Sequence, residues 1–167
     1  LNESLVAAGT SWRYLANGSN QGTAWREPGF NDTAWPQGNA QRGYGDSDEA
    51  TVIPSGPAGN TYVTSYFRRT FNATGAGEFS SLVLEILRDD GAVVYLNGTE
   101  IVRTNMPAGA INHLTPAPGV VGGADESTFF SFPIPPAALV EGTNVVAVEV
   151  HQQNAASSDV SFDLRLT

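Results

Sequence analysis

The sequence predicts an all-β fold, an antiparallel β-sandwich of about eight or nine strands with minimal helix, and three observations carry that reading. Apolar residues recur with period two in the second half of the chain, the spacing of a half-buried strand rather than of a helix. The 18 glycines and 10 prolines fall at short intervals between apolar runs and leave no stretch for a long helix. At 167 residues, 41% of them apolar, the chain has material for one core and a single domain over 1–167.

Taken in order, residues 11–15 read as a short first strand. Gly22-Thr23-Ala24-Trp25 is echoed by Asp32-Thr33-Ala34-Trp35, two similar turns that each pack an indole into the core. Residues 38–60 are mostly Gly, Ser, Asp, Asn and Gln and read as a long surface loop of the kind that carries function. Residues 62–71 set Val63, Phe67 and Phe71 against Tyr62, Tyr66 and Arg68, and 82–88 form the next strand. Asn97-Gly98 lies between two β-rich runs in 92–103 and supplies the two positive φ angles of a type I′ hairpin turn. A second loop, rich in Pro, Gly and Ala, spans 105–125, an aromatic strand 128–134, and a helical turn 136–140. In 144–151, Val146, Val148 and Val150 face one side, with Val145, Ala147, Glu149 and His151 on a wetter one. Val160, Phe162, Leu164 and Leu166 alternate with polar residues in the last strand.

Eight basic residues, all arginine, stand against 17 acidic ones, a net charge of -9. Such a surface repels phosphate and argues against nucleic acid and anionic membranes as partners. With no cysteine, a disulfide, a thiolate zinc site and a cysteine nucleophile are excluded. No apolar run approaches the roughly 18 residues of a membrane span. The chain begins at Leu1 without a signal segment, which reads as a module excised from a larger protein.

Nucleophilic catalysis finds only His113 and His151 as imidazole bases, and no Gly-x-Ser-x-Gly elbow. His113, in a Pro-rich loop, reads as solvated. His151 ends a strand ahead of Gln152, Gln153 and Asn154 and reads as a binding edge. A glycosidase needs two carboxyls across an enclosing cleft, for which a filled sandwich this small has little room. Hard cations want clustered carboxylates in irregular loops, so a structural calcium is expected at Asp46, Asp48 and Glu49 or at Asp125 and Glu126, although the spacing is not an EF-hand's. Sugars stack on aromatic rings and bond to amides, acids and arginine, and Tyr44 has the small polar neighbours of an exposed ring. Asn2, Asn17, Asn31, Asn72 and Asn97 head N-glycosylation sequons.

Residues 29–35 (Gly-Phe-Asn-Asp-Thr-Ala-Trp), 66–71 (Tyr-Phe-Arg-Arg-Thr-Phe), 89–98 (Asp-Asp-Gly-Ala-Val-Val-Tyr-Leu-Asn-Gly) and 142–151 (Gly-Thr-Asn-Val-Val-Ala-Val-Glu-Val-His) occur in this order. Together they cover most of the chain in a pattern that resembles the galactose-binding-like jelly-roll domains. The order is similar to that of the sugar-binding domain at the front of beta-galactosidases, and to accessory domains of large secreted bacterial proteins, including metallophosphoesterases and multidomain glycan-degrading enzymes. The resemblance implies a sandwich often holding a buried calcium and sometimes a sugar site among loops at one end. It gives Asp32 the turn amides to bond and Trp35 a place in the core.

The expected function is therefore a non-catalytic carbohydrate-binding module of a secreted, extracellular bacterial enzyme, monomeric, binding a polysaccharide or oligosaccharide beside a neighbouring catalytic domain. The expected site joins Tyr44, Asp46, Asp48 and Glu49 to His151, Gln152, Asn154 and Asp159, with Arg68 or Arg88 nearby. A structural or protein-docking domain that binds no sugar, and a small glycan-acting hydrolase, are the alternatives.

Overall fold

The computed structural model describes residues 4–45 and 47–167, so Asn2 and Asp46, both singled out above, lie outside the described residues. In chain order the strands are β1 (Ser11–Leu15), β2 (Gln37–Asn39), β3 (Arg42–Tyr44), β4 (Thr51–Val52), β5 (Thr64–Ala73), β6 (Leu82–Asp89), β7 (Gly91–Leu96), β8 (Thr99–Thr104), β9 (Phe130–Ile134), β10 (Gly142–His151) and β11 (Val160–Leu166). They form a six-stranded sheet, β2-β1-β5-β10-β7-β8, and a five-stranded sheet, β4-β3-β11-β6-β9. Among the described residues only the β3–β4 pair is parallel. Among the described residues helix is confined to 3-10 turns, one of them at Pro136–Ala138, where the sequence invites it.

The sandwich closes because the alternating residues of both sheets meet. Phe67 and Phe71 of β5 and Val146, Val148 and Val150 of β10 share one cluster with Leu82, Leu84 and Ile86 of β6 and Phe162, Leu164 and Leu166 of β11. At its centre the Phe67 and Phe162 rings stack 4.2 Å apart, and Trp12 meets Phe162 edge-on at 5.0 Å. At the Asn97-Gly98 turn both residues have positive φ, 51° and 84°. The Asn97 side chain donates to Asn144 Oδ1 (2.8 Å) and accepts from the Val145 amide (2.9 Å), which stitches the hairpin to β10.

Three features differ from the sequence reading. The supposed 38–60 loop holds β3 and β4 and the end of β2, strands too short to show alternation, which raises the count to eleven among the described residues. The second face of β10 is not wet. Ala147 packs there with Trp25, Trp35, Tyr66, Val93 and Tyr95 in a second apolar cluster, so the two indoles roof the outside of the six-stranded sheet rather than filling the space between the sheets. Asp32 accepts from the Arg68 guanidinium (2.9 Å), while the Thr33 turn amide is bonded by Asn31 instead.

Candidate functional site

Register gathers the strand ends that matter at one end of the sandwich. His151, last in β10, pairs with Thr64 and Gly91, first in β5 and β7. Val160 and Ser161 pair with Tyr44 and Asp89, last in β3 and β6. The loops that leave this end enclose a cleft of about 310 Å³. Asn17, Asn60, Thr61, Tyr62, His113 and Leu114 line it, with Gly18, Pro57, Val63 and Ala155. Backbone bonds fix the walls: Thr61 N donates to Ala155 O (2.8 Å), Tyr62 N to Ser55 O (2.9 Å) and Gln152 N to Val63 O (2.8 Å). Thr64 Oγ1 donates to the His113 carbonyl (2.9 Å) and draws in the third loop. His113 is half-buried and its Nδ1 is buried without a partner among the described residues. The sequence reading took it as solvated and took Tyr62 as a strand residue. The signal that points to them is the pair of long loops, which converge here.

Of the expected site residues, the structure joins three. Gln152 Nε2 donates to the Tyr44 hydroxyl (2.8 Å) and the Asp159 carbonyl (2.7 Å), linking the two sheets, and Tyr44 is half-buried rather than free. Asn154 is exposed beside them, its Oδ1 accepting from the Ala156 amide (2.7 Å). Asp48 is exposed against Gln41, and Glu49 is half-buried in the same loop. Arg68 and His151 are corrected: both are enclosed, at 2% and 0% exposure, Arg68 against the Trp25 turn and His151 beneath the 113–115 segment, whose Thr115 carbonyl lies 2.7 Å from its Nδ1. Arg68 donates to Asp32 and to the Trp25 carbonyl, away from any rim. Arg88 is also buried, donating to Thr104 Oγ1 (3.1 Å) with its guanidinium over the Phe130 ring, and burial lowers its pKa below the ordinary arginine value.

Beneath the cleft-side loops lies an acidic pair. Asp90 accepts from the amides of Val121 and Gln153, both at 2.7 Å, and so ties two loops to the β6–β7 corner. Asp89, 1% exposed, is pushed up to about 9 by burial, with its contact to Asp90 and the charges of Asp90, Asp159 and Glu126 adding to the effect. Asp125 and Glu126 sit in the 3-10 turn Gly123–Ser127. Among the described residues no three His, Asp or Glu side chains come close enough to share a metal ion.

His151 anchors a separate buried network. Its Nδ1 lies 3.0 Å from Thr64 Oγ1 and 2.7 Å from the Thr115 carbonyl, and its Nε2 lies 3.1 Å from Glu149. Glu149 also accepts from the Tyr95 hydroxyl (2.6 Å) and Arg26 (3.2 Å). Burial pushes Glu149 up, but the bonds from His151 and Tyr95 and the charge of Arg26 outweigh it and hold the carboxyl below its usual value. Tyr95 is raised by burial and by its bond to Glu149. Hydroxyl, imidazole and carboxylate in line is an arrangement that activates nucleophiles elsewhere. Here Thr64 is 2% exposed and its proton goes to the His113 carbonyl, so the network braces strands.

The arginines complete the electrostatics. Arg26, Arg68, Arg103 and Arg165 pair with Glu149, Asp32, Glu100 and Glu85. Arg13, Arg42 and Arg69 donate to the main-chain carbonyls of Trp35, Trp12 and Ser11, and Arg88 to Thr104. With no lysine in the chain, every arginine has a partner inside it, and none lines the cleft.

No family model and no curated protein matches the chain. Solved structures do. A Bacteroides uniformis beta-glucuronidase, covalently bound to cyclophellitol-6-carboxylate aziridine, superposes with a TM-score of 0.60 at 19% identity, over 95% of this chain and 17% of that one. A Bacteroides vulgatus beta-glycosidase gives 0.56 at 18% identity, over 99% and 20%. A glycosyl hydrolase family 2 member from Bacteroides cellulosilyticus gives 0.58 at 15%, over 95% and 20%. The chain thus spans about a fifth of each of these proteins, and at such identities the likeness is one of fold.

Proposed function

We propose that this chain is a non-catalytic carbohydrate-binding module of the galactose-binding-like jelly-roll type, an accessory domain of a larger secreted bacterial enzyme that acts on glycans. The observation that carries the reading is the end cleft, where an aromatic ring, two amides and an imidazole converge, the mixture that sugar rings require. Likeness in fold to a fraction of several glycosidases supports the accessory role. In this reading the module is monomeric and keeps its catalytic neighbour close to an oligosaccharide or polysaccharide.

Calorimetric titration against a panel of oligosaccharides tests it. Saturable heat that disappears in Tyr62→Ala, with the melting temperature kept, is the expected result; silence across the panel removes the reading. Calcium at the Asp48–Glu49 or Asp125–Glu126 loops is a separate proposal. A fall in melting temperature under excess EDTA supports it, and an unchanged one removes it.

A further inference from the structure

We infer that the end cleft takes an uncharged pyranose and rejects uronates and sulfated sugars. This rests on the glycan-binding reading above and narrows it to a ligand class. Recognition of a sugar carboxylate or sulfate calls for a desolvated cation, above all the bidentate fork of arginine. All eight basic side chains of the chain are arginines, and each is bonded to a partner within the fold. The cleft is lined instead by neutral amides and hydroxyls and by one imidazole, with no Arg, Asp or Glu among the lining residues.

The surrounding field has the same preference. The chain carries a net charge of -9, and Asp159 and Asp90 stand in or beneath the loops around this end, so an approaching anion meets net repulsion. A sugar hydroxyl is both donor and acceptor and matches the groups that are present. His113, half-buried among the lining residues, brings a ring that can donate to or accept from such a hydroxyl. A cleft of about 310 Å³ is at the small end of ligand sites and suits one or two rings, a chain end rather than a long strand of polymer.

The test pairs probes that differ only in charge. The 167-residue chain is titrated by calorimetry and amide-shift NMR with neutral cello-, xylo-, manno- and galacto-oligosaccharides, and with matched oligosaccharides ending in glucuronic or galacturonic acid. Neutral probes are expected to bind and their acid counterparts to bind at least about tenfold more weakly, with the gap narrowing at high salt. His113→Ala and Asn60→Ala, checked for unchanged melting temperature, are expected to weaken neutral binding by about tenfold. Equal or tighter binding of the uronates overturns the ligand class while leaving glycan binding standing. Neutral binding that both variants leave untouched removes the cleft as the site. Silence from every probe overturns the ligand class and the glycan reading together.

Discussion

Gly18 and Tyr62 show how closely single residues set the cleft. Gly18 has a φ of +73°, and a Cβ added to it would lie 2.6 Å from the Tyr62 ring. Gly18→Ala is therefore expected to lower stability by about 1–2 kcal/mol and to shift the Tyr62 ring, with weaker glycan binding; denaturation and titration of the same sample check both. Asp89 gives a pH-dependent outcome. Its carboxyl holds a proton up to about 9 in the fold but loses it near the ordinary aspartate value of 3.8 once unfolded. Between those values the folded state binds the extra proton, so stability falls as pH rises, by up to about 1.4 kcal/mol per unit. Asp89→Asn is expected to flatten urea-denaturation stability between pH 5 and 9 and to raise it at pH 8. An unchanged slope in the variant would assign the effect to other groups. Neither residue was legible in advance: Gly18 matters through a ring distant in sequence, and Asp89 through the loops that bury it.

Among the elements, legibility followed the reach of the signal. β6, β10 and β11 were readable because Leu82, Leu84 and Ile86, or Val160, Phe162 and Leu164, spell out period two within the strand itself. The β7–β8 turn was readable because Asn97-Gly98 carries its own backbone preference. β3 was not, since its three residues hold their place through approach to another strand. A Cβ on Gly43 would lie 1.6 Å from the Val160 carbonyl oxygen, so no side chain fits between β3 and β11 there. Gly43→Ala is expected to cost upwards of about 2 kcal/mol and to loosen β3 ahead of the rest, read as hydrogen-exchange protection lost at residues 42–44 first. Period two likewise told which residues of β10 shared a face but not that Trp25 and Trp35 cover it. Hence Arg68 and His151 were assigned to a rim when the Trp25 turn covers the one and the 113–115 segment the other.

For the molecule as a whole, one stack of rings between the sheets and one ring-lined roof outside them divide the stability, while the cleft sits apart at the loop end. Phe162→Ala, which empties the centre of the stack, is expected to cost about 3–5 kcal/mol in global unfolding. Trp12, Trp25 and Trp35 are all at most 7% exposed, and none of them lines the cleft. Intrinsic indole emission is thus a blue-shifted reporter of whether the chain is folded and is optically indifferent to what occupies the loop end. A quenching assay that stays flat on adding saccharide says nothing about occupancy, and a tyrosine- or backbone-based signal has to be used in its place.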